Sequence, residues 1–265
     1  MFHLWQILLL ATLLAILLFT ATWLISRKWD NYSFVDVTWS YSMVFLAGLY
    51  FLTEEGWQPR RMLMFGLAGF WSVRLGTYLF FRIRRHHPHE DVRYQVLRSK
   101  WKNDLGRHFF IFFQAQAISI VALSAPVFLS MHNRAAMFHP AEWMGLLVWI
   151  IGLAGESLAD AQMKKFKHDP ANKGKVCNIG LWRLSRHPNY FFESVIWWGF
   201  WLFACGSPWG WISIYAPLLI LYFLLRVTGI PLTEKCSVES KGDAYREYQR
   251  TTSAFIPWFP KSPPR

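Results

Sequence analysis

Leu4-Trp-Gln-Ile-Leu-Leu-Leu-Ala-Thr-Leu-Leu-Ala-Ile-Leu-Leu-Phe-Thr-Ala-Thr-Trp-Leu-Ile25 is 22 residues long and carries no charge. The hydrocarbon core of a bilayer is about 30 Å thick, and a helix needs roughly 20 apolar residues to cross it. No charge precedes Arg27-Lys28 and no small-residue cleavage site follows, so the run reads as a retained membrane helix rather than a signal peptide. Working outward, further apolar runs lie near Phe34–Leu52, Met62–Phe81, Phe109–Ser130, Trp143–Met163, Tyr190–Ala204 and Trp211–Leu225. The Tyr190–Ala204 run is short, which suggests tilt or a helix pair around a tight turn at Gly206–Pro208. The pattern predicts an all-α membrane protein built as a seven-transmembrane helix bundle.

Composition agrees. The 265 residues include 16 Trp and 23 Phe, 54% are hydrophobic, and 28 Lys+Arg against 16 Asp+Glu give a formal net charge of +12. An ordinary globular chain is less apolar and much poorer in Trp. A disordered chain lacks aromatics, and a soluble nucleic-acid binder is basic without long apolar runs, so nucleic acid is not an expected partner. Cys177, Cys205 and Cys236 lie far apart, in no spacing that indicates a disulfide framework or a thiolate metal site.

The positive residues are unevenly placed. Two follow the first run, eight lie in 82–108, seven in 164–187 and seven from Arg226 onward, 24 of the 28 in all. Arg60, Arg61 and Arg134 fall on the other side and Arg74 inside the third run. The positive-inside rule then predicts the N-terminus outside and the C-terminus in the cytoplasm.

Charges inside spans are functional candidates by default. In Gly180-Leu-Trp-Arg-Leu-Ser-Arg-His-Pro-Asn-Tyr190, Pro188 suits the first turn of a helix. Arg186, His187 and Asn189 are thereby delivered to its positive end, an arrangement suited to phosphate or carboxylate. Asn189, Glu193 and Trp197 follow at i, i+4 and i+8 on one face. Arginines reaching for lipid headgroups are the plainer reading, and they leave Glu193 unexplained. Glu156, Asp160, Lys164 and Lys167 form a polar stripe running out of the fifth span, acidic first and basic at the surface. Carboxylates accept from ribose hydroxyls or a carboxamide, and lysines meet phosphates. Arg226, followed by Glu234 and Lys235, adds a third charged helix end. A dinucleotide or a similar long, partly anionic cofactor is the natural guest.

Asp36 sits in Asn31-Tyr-Ser-Phe-Val-Asp-Val-Thr-Trp39, just inside the second span. Desolvation there is expected to keep its carboxyl protonated as a hydrogen-bond donor; pairing with Arg74 is the compatible alternative. Asp91-Val-Arg93-Tyr94 reads as a charged turn that orders the loop or touches a ligand. His86-His87-Pro-His89-Glu90 follows no metal-ligand spacing, so no metal is expected. The chain has no GxGxxG, Walker A or GxSxG sequence, which excludes a Rossmann cofactor domain.

Gly180-Leu-Trp-Arg-Leu-Ser-Arg-His-Pro-Asn-Tyr-Phe-Phe-Glu193 and the tail Tyr245-Arg-Glu-Tyr-Gln-Arg-Thr-Thr-Ser-Ala-Phe-Ile-Pro-Trp258 resemble the steroid 5-alpha-reductase family. The pattern is most similar to that family's bacterial multi-pass branch, which also carries Asn-x-Ser-x-Val-Asp-x-x-Trp (31–39 here) and Glu-Asp-x-Arg-Tyr (90–94 here). The resemblance covers nearly the whole chain, although Arg-His-Pro-x-Tyr is shared with isoprenylcysteine carboxyl methyltransferases and sterol reductases.

The resemblance implies a monomeric membrane enzyme, in a bacterial inner membrane or a eukaryotic endoplasmic reticulum. It would use NADPH to reduce the C4–C5 double bond of a 3-oxo-Δ4 steroid or similar lipophilic enone taken from the bilayer. Within one membrane domain, 1–108 would supply substrate-side helices and a basic loop, and 109–265 the cofactor half. By position, Asn189 and Glu193 match the family motif together with Arg186, His187 and Tyr190, while Asp160, Arg226 and the tail with Tyr245 fall at cofactor contacts. Lys164, Lys167 and Lys175 stand where the family places basic residues. Glu156 replaces an asparagine, and Glu234, beside Lys235, replaces a tyrosine. Asp36, in one motif with Trp39, falls about where the steroid enzymes carry a substrate-contacting glutamate. Trp71 stands near the tyrosine that assists it, and an indole cannot play that acid role. The competing functions are an S-adenosylmethionine-dependent membrane methyltransferase and a non-catalytic sterol or lipid binder. The cytoplasmic excess of Lys and Arg suits a polyphosphate cofactor better than a sulfonium.

Overall fold

The computed structural model describes residues 3–227 and 229–261. In chain order the helices are α1 (Leu4–Lys28), α2 (Phe34–Thr53), α3 (Gln58–His86), α4 (Val92–Lys100), α5 (Leu105–Leu123) and α6 (Ala125–His132). They continue as α7 (Pro140–His168), a single turn α8 (Leu181–Leu184), α9 (Pro188–Ala204), α10 (Tyr215–Tyr222), α11 (Ile230–Lys241) and α12 (Asp243–Thr251). Among the described residues the β structure is one isolated parallel bridge, Ser185 with Ser253.

Among the described residues, six helical stretches are long and apolar enough to cross a membrane: Leu4–Lys28, Phe34–Thr53, Gln58–His86, Leu105–His132, Pro140–His168 and Gly210–Lys241. This is a multi-pass membrane protein. The expected run near Tyr190–Ala204 is α9, a helix of 17 residues. At about 1.5 Å per residue it is roughly 26 Å long, shorter than the other six. The fourth stretch bends at Ser124, where Pro126 opens α6.

The chain forms two compact units, Met1–His139 with Ala204–Ala216, and Pro140–Phe203 with Pro217–Arg265. In unit 1, α2 packs along α3, and α1 packs against α2 and α5. Several polar side chains inside these contacts are paired within the unit, which an apolar medium favours. Thr22 and Thr38 share a hydrogen bond of 2.6 Å, Tyr41 and Thr77 one of 2.7 Å, and Tyr50 and Ser124 one of 2.7 Å. Arg60, fully buried, donates to the carbonyls of Asn133, Ala135 and Met137 and lies over the Trp57 ring.

In unit 2, α7 and α9 meet through glycine. A Cβ at Gly152 would lie 2.7 Å from Ile196 N, and one at Gly199 would lie 2.7 Å from Trp149 N; Gly145 faces the Phe203 backbone as closely. Such backbone-to-backbone contact is how helices associate where burial from water drives nothing. Gly199→Leu should therefore destabilise unit 2 by about 3 kcal/mol or more. Thermal unfolding in detergent should show a clear loss, and an unchanged midpoint would mean that the helices do not meet there.

Candidate functional site

In unit 1 two sequence-distant motifs close on each other. Asn31 Oδ1 accepts from Ser33 N at 3.0 Å, turning the chain into α2. The preceding segment then docks on 90–94: Tyr32 N donates to Glu90 Oε1 at 2.6 Å, and Asp91 N donates to Ser33 Oγ at 2.9 Å. Tyr32 stacks on Phe109 with ring centroids 3.7 Å apart, and Arg98 covers the Tyr32 ring while donating to Glu90 and Asp30. Asp91 is the N-cap of α4, accepting from Arg93 N at 3.1 Å and from Arg93 Nε at 2.9 Å. Burial pushes the Asp91 carboxyl upward, but its hydrogen bonds with Arg93 outweigh that and hold it below the usual carboxylate range.

Asp36 is the hub. Arg93 Nη2 donates to Asp36 Oδ2 at 2.6 Å, and the Tyr94 hydroxyl donates to Asp36 Oδ1 at 2.6 Å. Burial, then the neighbouring Asp36 charge, hold the Tyr94 phenol well above its ordinary range, so it stays protonated. Both carboxylate oxygens of Asp36 are therefore acceptors. Where the sequence suggested a donor, the geometry has Asp36 accepting one bond from a guanidinium and one from a phenol. Trp39, one turn along α2, donates from Nε1 to Ser119 Oγ at 3.2 Å and meets the buried Trp71 edge-on at 6.1 Å.

In unit 2 the Arg-His-Pro segment is knitted to the tail. Arg186 Nε donates to Glu234 Oε1 at 2.6 Å, and its Nη1 donates to the carbonyls of Gln249 and Thr252 at 2.9 and 2.6 Å. Its backbone N–H donates to Ser253 O at 2.9 Å. Gln249 donates to the second Glu234 oxygen at 3.0 Å, and His187 Nε2 lies 3.3 Å from the first. His187 stacks on Tyr190, whose hydroxyl is 3.3 Å from Thr233. Ser185 Oγ donates to Phe255 O, Trp258 N donates to Leu184 O, and the Tyr248 hydroxyl reaches Trp182 O. Burial, then the Glu234 charge, raise the Tyr245 phenol to about 12.

A family model described as a protein of unknown function, DUF1295, matches residues 22–252. The chain belongs to the DUF1295 family. An uncharacterised protein of Schizosaccharomyces pombe is 31% identical over 278 residues, covering 92% of this chain and 78% of its own length. A probable O-methyltransferase of Ustilaginoidea virens is 44% identical over 46 residues, 17% of this chain and 16% of its own. No solved structure matches significantly.

In this DUF1295 chain the residues read from sequence separate into groups. Arg186, His187, Tyr190, Glu234 and Tyr245 come together, and the Arg186 guanidinium faces the tail rather than an open anion site. Glu156, Asp160, Lys164 and Lys167 do share α7, with Glu156 buried and the two lysines exposed. Glu193 accepts from Trp197 Nε1 at 2.8 Å on α9, which also carries the half-buried Asn189. Lys167 and Lys175 line one hollow, and Lys164 lines a neighbouring one. Arg226 lies on a π-turn, Phe223–Val227, and is exposed, as is Lys235. Sequence reasoning gave Tyr94 no proton-bearing role. Its signal was the Glu90–Tyr94 motif occurring together with Asn31–Trp39.

Two consequences are measurable. Arg93→Met leaves the Asp36 charge without its counterion and should cost on the order of 2 kcal/mol. Adding Asp36→Leu should recover much of that loss, and a strictly additive double variant in denaturant titration would dismiss the pair as a joint. Arg186→Lys keeps the charge but loses the fork that reaches Glu234 and two carbonyls. With two charge-assisted bonds gone, cleavage of the 246–261 segment by trypsin should accelerate on the order of a hundredfold. An unchanged cleavage rate would rule out the latch.

Proposed function

We propose that this chain is an NADPH-dependent reductase of lipophilic enones, with a 3-oxo-Δ4 steroid or a similar conjugated ketone as substrate. The observation that carries the reading is the Tyr94–Asp36–Arg93 cluster, a phenol and a guanidinium held against one carboxylate at the first turn of a membrane helix. Donors fixed in a low-dielectric site stabilise an oxyanion more than water does. With substrate bound, the Tyr94 hydroxyl would turn its one proton from Asp36 to the ketone oxygen, while Arg93 goes on donating to Asp36. Addition at the β-carbon then leaves an enolate on that oxygen, and a solvent proton completes the α-carbon.

NADPH, when bound, supplies the hydride and leaves as NADP+. The donor set on unit 2 fits it. Lys164, Arg226 and Lys235 make no ion pair among the described residues and suit phosphates. Asp160, Asn189 and Glu193 suit ribose hydroxyls and a carboxamide. On the Lys and Arg asymmetry we assign seven spans, α9 being a short one, with the N-terminus outside and the C-terminus in the cytoplasm.

A second reading, methyl transfer from S-adenosylmethionine, draws on the 46-residue similarity to the probable O-methyltransferase. Titration of the detergent-purified protein separates the two. NADPH should bind saturably and S-adenosylmethionine should not, and NADPH absorbance should fall when the steroid is added. Tyr94→Phe should keep NADPH affinity and lose about a hundred- to a thousandfold in kcat. Binding of S-adenosylmethionine alone would replace the reductase reading with the methyltransferase.

A further inference from the structure

We propose that unit 2 carries a site for the phosphate of an anionic phospholipid, in a basic hollow at the end of α7. The hollow has a volume of about 350 Å³ and is lined by Lys167, Lys173, Lys175 and Lys241, with Met163 and Phe166 as an apolar wall. That volume lies in the range of ligand pockets. None of the four lysines forms an ion pair among the described residues. The carboxylate in the lining, Asp169, is spent on the turn it begins, accepting from Ala171 N at 2.9 Å. Lys241 lines the hollow, and its Nζ lies over the Tyr245 ring, 5.8 Å from its centroid. Four lysine charges against the one carboxylate leave the hollow net positive, a balance that favours an entering anion.

Depth identifies the anion. Trp143, Met144, Leu147, Ile150, Ile151 and Leu158 form an exposed apolar face along α7. A hydrocarbon core of about 30 Å beginning at Trp143 accommodates roughly 20 helical residues and so ends near Met163, the wall of the hollow. The ammonium groups stand just beyond, where lipid phosphates lie, and basic pockets at that level bind anionic headgroups. Met163 and Phe166 continue the apolar surface and suit the glycerol and first methylenes of a lipid. A nucleotide phosphate shares the anionic chemistry and has no use for that continuity. The inference does not depend on the reductase reading.

The test compares the full-length protein in nanodiscs of phosphatidylcholine with and without phosphatidylglycerol. Lipid retained is counted by native mass spectrometry, and lysine accessibility is read by acylation. Phosphatidylglycerol should be retained selectively and should protect Lys173 and Lys175 from acylation. Lys167→Gln/Lys241→Gln should weaken its retention roughly thirtyfold, at about fivefold per lysine. If the double variant does not fold, protection of Lys173 and Lys175 in the unmodified chain decides the matter. Equal retention of both lipids, or acylation unaffected by phosphatidylglycerol, overturns the proposal. Protection of the same lysines by soluble NADPH or pyrophosphate, and not by the lipid, overturns it in favour of a nucleotide phosphate.

Discussion

The bond from the Arg93 guanidinium to the Asp36 carboxylate is the contact around which unit 1 is arranged. Neither group can leave water alone at acceptable cost, and together they can. Meeting that requirement forces the start of α2 to lie against the start of α4, although 57 residues separate the partners. Tyr94, Asp91, Ser33, Glu90 and Tyr32 then fall into place around the pair, so a stretch rich in polar groups becomes a closed network. Unit 2 solves the same problem with Arg186 and Glu234. Arginine rather than lysine serves both joints because its planar fork satisfies several acceptors with one charge.

What the sequence makes legible follows from the range of the forces involved. Span length and apolarity are local quantities, so α1, α2, α3 and α7 are visible in the chain as written. The i, i+4, i+8 stripe on α7 is equally visible, because helical geometry alone aligns it. The length of α9 was legible too: its ends are set by Pro188 and by the Gly206–Pro208 region. The partners of Asp36 were not, because Arg93 and Tyr94 stand 57 and 58 positions away. The partners of Arg186 were hidden for the same reason. Its neighbours in sequence describe a helix N-terminus inviting an anion, while the acceptors that occupy it lie 48 to 66 positions further on. The lysine hollow needed Lys241 to meet Lys167, Lys173 and Lys175, a meeting that no periodicity announces.

The two arginine joints also differ in purpose from the glycine contacts between α7 and α9. Glycine sets how near two helices come, by removing the atom that would hold them apart. The joints set which ends of the chain meet. Packing of the first kind tolerates no added volume, and pairing of the second kind tolerates no lost charge, so the two kinds of position respond to opposite classes of substitution.

The latch on Arg186 carries a consequence for how the chain is made. Its backbone bond is to Ser253, 67 positions later. At about 5–20 residues per second of translation, Arg186 waits roughly 3 to 13 s for that partner to be synthesised. The guanidinium meets its carboxylate sooner, since Glu234 lies 48 positions on, and until then it flanks the apolar segment that becomes α9 without that partner. The latch on α9 can therefore close only late in synthesis, after Glu234 and then the tail have emerged.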